Sequence, residues 1–245
     1  MNYFIVKDNL EETLVGRDYP QAYDFIKGYN EEAPDSLFSL YDYWDSFPNY
    51  TPNLDGVKLA GCAKLTDFVS DGFCSRMQIV SPKAKLTLEQ FNLCAHKFYP
   101  LGLYKRKIKY EYFLFFRGER CAKYVNYEKT SFYVFNYDDD SCSDEFYIKS
   151  EKEYWERRNK LEQDGIFGNI NGKKIVMSHD FPKYDFFTIG FLDGNTYVSE
   201  RLKKAIEKAG LTGWVFNPAT HLIVEDSYFY LICGIVYSSA PSSCC

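Results

Sequence analysis

The feature that most constrains this chain is a match of its sequence to itself. Gln78-Ile79-Val80-Ser81-Pro82-Lys83-Ala84-Lys85 lies over Thr196-Tyr197-Val198-Ser199-Glu200-Arg201-Leu202-Lys203, with the two serines 118 residues apart. The same offset, without a gap, pairs Asp67-Phe68 with Asp185-Phe186 and Gly72-Phe73 with Gly190-Phe191. It also pairs Glu89 with Glu207, Leu93 with Leu211, Phe98 with Phe216, Pro100 with Pro218, and Tyr110 and Tyr112 with Tyr228 and Tyr230. A spaced match of this kind implies two related structural units rather than one continuous pattern.

The matched positions carry the same physics. Val80 and Val198 close a short strand, and Ser81 and Ser199 then stand where a helix N-cap needs a side-chain oxygen. Pro82 takes the first helical position in one window, where the missing N–H costs nothing; Glu200 takes it in the other, at the positive end of the helix dipole. Ala84, Thr87, Leu88 and Phe91 form an apolar stripe at helical spacing, as do Leu202, Ala205, Ile206 and Ala209. Asn92 and Gly210 follow as left-handed C′ residues. Lys97–Tyr99 and Val215–Asn217 read as strands stopped by Pro100 and Pro218. Tyr110–Phe115 and Tyr228–Cys233 have the aromatic and β-branched content of central strands. The expected class is therefore α+β: two pseudo-repeated βαββ units in one compact body with an irregular N-terminal segment.

Around those units the chain divides into residues 1–56, 57–124 (first unit), 125–178 (connection) and 179–245 (second unit and tail). The first segment opens with a strand at Tyr3–Val6 and a helix from about Pro20 to Lys27, followed by the turn-rich run Tyr41-Asp42-Tyr43-Trp44-Asp45. Two readings of that run stand open: a loop strapped over the core by its rings, or a binding surface. In the connection, Ser131–Asn136 and Phe146–Ile148 read as strands joined by the acidic loop Tyr137–Glu145. Ser150 and Glu153 make a capping box that opens a polar helix to about Gln163, before Gly165, and Lys174–Met177 is a further strand.

Composition narrows the function. Aromatic residues reach 19% of the 245 positions, too much apolar area for a disordered chain. The longest apolar stretch, Tyr228–Tyr237, is too short for a helix across about 30 Å of hydrocarbon. No secretory leader is legible at the start, and a cytoplasmic location is expected. A net charge of −5 disfavours general phosphate binding, and the basic run Lys105, Arg106, Lys107, Lys109, Arg117, Arg120 and Lys123 reads as a solvated strand face. Eight cysteines are scattered without a C-x-x-C, so reduced thiols are expected.

Catalytic patterns are sparse. Cys94-x-His96 is the nearest thing to a metal pair, and neither it nor His179 or His221 has a second pair at ligand spacing. The sequence carries no G-x-S-x-G elbow, no P-loop and no G-x-G-x-x-G. No metal and no cofactor are expected. Asp67 and Asp185 recur at the common offset, which suits carboxylates that bond backbone amides in each unit; acid–base work in a cleft between the units is the alternative.

The run Asn195–Pro218 resembles the C-terminal signature of a bacterial immunity-protein family, the eleventh catalogued in polymorphic-toxin loci and formerly a domain of unknown function. The elements that carry the likeness are Val198-Ser199-Glu200-Arg201-Leu202, the amphipathic helix, Gly210-Leu211-Thr212-Gly213 and Phe216-Asn217-Pro218. Lys64–Val69, Phe91–Leu93, His96–Pro100 and Val125–Phe132 resemble the family too, so the likeness spans about residues 57–220. Departures are Pro82, where the family has glutamate, and the Cys244-Cys245 tail. The resemblance implies a cytoplasmic, non-catalytic protein that binds and neutralises a cognate toxin domain. Two alternatives stand beside it: a hydrolase-like enzyme using Asp67 and Asp185, and a structural or regulatory partner with no toxin. On physical grounds the partner-facing residues are expected where carboxylates cluster beside rings in turn-rich sequence: Tyr41, Tyr43, Trp44, Asp45, Asp138, Asp139, Asp140, Asp144 and Glu145.

Overall fold

A computed structural model describes residues 1–73 and 76–224. In chain order the elements are β1 (Tyr3–Asp8), α1 (Glu12–Val15), β2 (Ala22–Phe25), β3 (Asp55–Leu59), β4 (Phe68–Val69), β5 (Met77–Val80) and α2 (Pro82–Leu88). There follow β6 (His96–Lys105), β7 (Ile108–Arg117), β8 (Ser131–Asn136), β9 (Ser141–Cys142), β10 (Phe146–Tyr147) and α3 (Glu151–Gln163). The remainder is β11 (Gly168–Met177), β12 (Phe186–Gly190), β13 (Asp193–Ser199), α4 (Glu200–Lys208), β14 (Trp214–Pro218) and β15 (Leu222–Val224). The class is α+β. The sequence-predicted strand at Tyr228–Cys233, and Cys74, Cys233, Cys244 and Cys245, lie outside the described residues.

Three sheets carry the fold: β2-β3-β6-β7-β5-β4, β12-β13-β1-β14, and β10-β8-β11-β15 with β9 beside β8. In the first, β4 and β5 pair Phe68 with Val80 and Val69 with Ile79; in the second, β12 and β13 pair Phe186 with Val198 and Phe187 with Tyr197. Each partner is displaced by the same 118 residues, so the two hairpins share one register. Ser81 Oγ accepts the Ala84 N–H (3.1 Å) and Ser199 Oγ the Leu202 N–H (3.2 Å), so both serines cap as expected. Helices α2 and α4 cover a shared core of Phe68, Val80, Ala84, Leu88 and Phe115 from one sheet and Phe186, Val198, Leu202, Ile206 and Trp214 from the other. Trp214 of β14 stacks on Phe68 of β4 with centroids 3.5 Å apart, a ring contact that joins the two sheets.

The strand beside β13 is unexpected. In the first sheet Phe113 of β7 lies opposite both Val80 and Pro100. In the second sheet the residue opposite both Val198 and Pro218 is Phe4 of β1. The N-terminal strand thus fills, in register, the slot that β7 fills in the first sheet.

Several local expectations change, among them Asn92, which is not the left-handed residue after α2. Residues 22–25 form a strand on β3, not a helix: a bulge between Ala22 and Asp24 turns Ala22 and Phe25 both inward, which imitates helical spacing. Pro100 does not stop β6. The Gly102 N–H faces β3 and bonds Leu54 O, so Pro100 lies on that same side beyond the end of β3, where no ladder bond is lost. Helix α2 ends at Leu88, before Phe91, because the chain turns there to lay Asn92–Cys94 against Asp185–Phe186.

Candidate functional site

The acidic loop folds as the tip of a hairpin. β8 and β9 pair Phe135 with Cys142 and Asn136 with Ser141, leaving residues 137–140 as the turn. Asn136 Oδ1 accepts the Asp138 N–H and Asp139 Oδ1 the Ser141 N–H, each at 3.0 Å, and Asp140 takes a left-handed φ of 54° that aspartate tolerates. Hydrogen bonds from Ser141 hold the Asp139 carboxyl below its ordinary range. Asp138, Asp139, Asp140 and Asp144 are exposed, and none forms an ion pair among the described residues; Glu145 pairs with Lys173 at 3.0 Å. Beside this turn the Tyr137 ring lies 5.2 Å from Phe135 and 5.2 Å from Phe167, and the Tyr137 N–H bonds Phe167 O. Tyr137 is 49% exposed and Phe167 68%, with Ile166 next to it also open. Sequence reasoning missed Ile166 and Phe167, because only the β8–β11 ladder brings residue 167 back to the hairpin.

The other expected segment is built differently. Tyr41 and Tyr43 pack on the core of the first sheet, and the Tyr41 hydroxyl donates to Phe73 O at 2.7 Å. Asp45 is spent on Arg120, accepting its backbone N–H at 2.8 Å and its Nε–H at 2.9 Å. Burial alone would raise the Asp45 carboxyl, but those bonds outweigh it and hold it low. Trp44 is 54% exposed and stands at a cavity of about 640 Å³ with Arg76, Arg120, Trp155, Phe191 and Asp193. Gly190, at φ 86°, leaves room for the Arg120 stem, since a Cβ there would stand 2.9 Å from Arg120 Cδ. Nothing local in the sequence groups Arg76, Arg120, Trp155 and Phe191.

Asp67 and Asp185 form a reciprocal clasp. Asp67 Oδ1 accepts the Ser81 hydroxyl (2.7 Å) while Oδ2 accepts the Thr212 N–H (3.0 Å) from the turn before β14. Asp185, fully buried, accepts the Ser199 hydroxyl (2.5 Å), the Asn92 N–H (2.9 Å) from the turn between α2 and β6, and a two-pronged contact from Arg201. Every oxygen of both carboxylates has a donor from the chain itself. The cavity of about 450 Å³ between the two sheets is lined instead by Asp8, Asp71, Tyr19 and Arg117. Burial raises the Asp8 carboxyl and pushes Asp71 up to about 7.

His96 Nδ1 lies 2.8 Å from Cys94 O. His221 Nε2 lies 2.7 Å from both Asp193 Oδ2 and the Tyr197 hydroxyl. Burial would raise Asp193, but its bonds to His221 and Tyr197 keep it below the usual carboxylate range. Among the described residues no three ligating side chains converge on a metal position, and Cys62, Cys94, Cys121 and Cys142 are free thiols. Desolvation pushes the Cys94 thiol up to about 12, which makes it inert at neutral pH. No helix among the described residues is long and apolar enough to cross a membrane. The chain matches no protein-family model and no curated protein, so the immunity-family likeness rests on the motifs themselves.

Proposed function

We propose that this protein is a non-catalytic immunity protein that neutralises a cognate bacterial toxin domain in the cytoplasm by docking through its acidic hairpin. One observation carries the docking site: Asp138, Asp139, Asp140 and Asp144 stand exposed, without an ion pair among the described residues, beside the uncovered rings of Tyr137 and Phe167. A toxin that acts on nucleic acid has a basic cleft, and such a hairpin supplies carboxylates where phosphates would sit. The rings add apolar contact area once docked. The clasp role of Asp67 and Asp185 favours this reading over the hydrolase-like one.

The finer fold reading belongs to the same proposal: residues 67–115 and their counterparts 118 positions later, of which 225–233 lie outside the described residues, derive from one βαββ unit. Its support is the shared hairpin register, the paired serine caps and the reciprocal clasp. In the second copy the final strand's slot is held by β1.

Co-expression with a toxin domain from a neighbouring reading frame tests the function. The wild-type protein is expected to co-purify with that domain and protect the cell. Replacing Asp138, Asp139 and Asp140 by Ser is expected to slow association about tenfold and flatten its salt dependence without changing the melting temperature. Phe167→Ala is expected to speed dissociation instead. Absence of co-purification sinks the immunity reading; wild-type kinetics in both variants moves the interface elsewhere.

A further inference from the structure

The cavity at Trp44 is separate in kind from the acidic hairpin, and its chemistry has the opposite sign. Its walls come from five stretches of chain: Trp44, Arg76, Arg120, Trp155 and the run from Thr188 to Gly194. At about 640 Å³ it has the size of a small-ligand pocket rather than a flat docking face. Trp155 lies 4.7 Å from Phe191, and with Trp44 these rings make the walls largely apolar.

The charges on those walls do not cancel. Arg120 is neutralised by Asp45. Asp193 is committed on both oxygens, to the Asn195 N–H on one and to Tyr197 and His221 on the other. Arg76 has no carboxylate among the described residues. It is 6% exposed, its Nη1 and Nη2 donate to the carbonyl oxygens of Tyr43 and Tyr41, and its Nε has no partner. Its guanidinium carbon lies 3.7 Å from the centroid of the Trp44 ring. Burying a cation without a counter-charge is unfavourable, and a carboxylate brought into the cavity would relieve it.

We propose that this cavity binds a small planar carboxylate, an aromatic or conjugated monoanion, with its ring among Trp44, Trp155 and Phe191 and its carboxylate toward Arg76. A cation is disfavoured by the uncompensated guanidinium of Arg76. A phosphate ester is disfavoured because apolar walls give a dianion too few donors. An acidic side chain of a docked protein offers the same carboxylate without the ring, so the probes must separate ring from charge. The proposal needs no toxin partner and stands or falls apart from the hairpin.

The test uses the full chain with 2-naphthoate, its neutral isostere 2-naphthamide, and N-acetyl-glutamate amide, followed by calorimetry and tryptophan fluorescence. Naphthoate is expected to bind at least about tenfold more tightly than naphthamide, and N-acetyl-glutamate amide more weakly than either. Arg76→Gln is expected to erase the preference for naphthoate, and Trp155→Ala, at the exposed rim, to weaken both aromatic probes. Should Arg76→Gln fail to fold, salt decides: raising it from about 50 mM to about 500 mM must weaken naphthoate severalfold and leave naphthamide unchanged. Equal affinity for the two aromatic probes, no binding of naphthoate, or binding of N-acetyl-glutamate amide as tight as naphthoate overturns the proposal.

Discussion

The first and second sheets use the same hairpin, the same serine cap and the same carboxylate clasp, yet they are completed in different ways. β5 and β6 are joined by β7, which follows β6 directly in the chain. β13 and β14 are joined by β1, which enters from the N-terminus. The two joining strands carry similar residues in similar places: Tyr112-Phe113-Leu114-Phe115 in one, Tyr3-Phe4-Ile5-Val6 in the other. A slot between two strands selects for side-chain alternation and register, not for position along the chain. The clasps differ as well. Asp185 is fully buried and tied to Arg201, whereas Asp67 is partly exposed, and Lys83, at the position matching Arg201, donates to Ala209 O instead.

The largest expected effect tests the shared slot. Deleting residues 1–8 removes the strand that holds β13 to β14, and the loss should be on the order of the whole folding free energy, more than about 5 kcal/mol. Circular dichroism and a thermal melt check it. A truncated chain with an unchanged, cooperative melt would show that β1 is an ornament on the sheet.

The clasp comes next. Asp185→Ala strands the buried Ser199 hydroxyl and the Asn92 N–H and leaves Arg201 without its partner, so about 3–5 kcal/mol should be lost. Asp67→Ala removes the matching bonds at a wetter site and should cost about 1–2 kcal/mol. Urea titrations of both variants measure the gap, and equal losses would mean that burial does not distinguish the two clasps.

The last effect has the opposite sign and concerns a position where the two matched stretches diverge. Asp71 faces the cavity between the sheets, while the residue 118 positions later is the buried Ile189. Desolvation pushes the Asp71 carboxyl up to about 7, so the folded state holds its proton more tightly than the unfolded chain does. The folded state therefore loses stability as pH rises from about 4 towards 7. Asp71→Asn removes that dependence, and above about pH 7 it should stabilise the protein on the order of 2–3 kcal/mol. Melting temperatures at about pH 5 and pH 8 read the difference; an Asn variant with the wild-type pH profile would place the titration elsewhere.

Much of the candidate site was legible, but unevenly. The acidic turn was readable because four aspartates and a glutamate fall within eight positions and bracket two short strands. Phe167, which gives that turn its apolar neighbour, was not, since it reaches the hairpin only through the pairing of Asn169 with Phe135 and Gly168 with Asn136. The segment at Trp44 looked like a second acidic surface. Arg120, 75 positions away, cancels Asp45, and Arg76 reverses the sign.

What the sequence determined by itself is local: the caps at Ser81, Ser199 and Ser150, the strands that follow, and the offset of 118 that relates two stretches. The caps and strands depend on residues within a turn or two of each other, and the offset compares two such local patterns, so both are written in the chain. The bulge that made residues 22–25 resemble a helix marks the limit of that reading. Only the tertiary structure decided that β1 fills the second sheet, that Asp67 bonds Thr212 and Asp185 bonds Asn92, and that five distant stretches enclose the Trp44 cavity. Each of these closes a loop of many tens of residues. The cost of such closure grows slowly with loop length, so no particular spacing is favoured and none is recorded in the sequence.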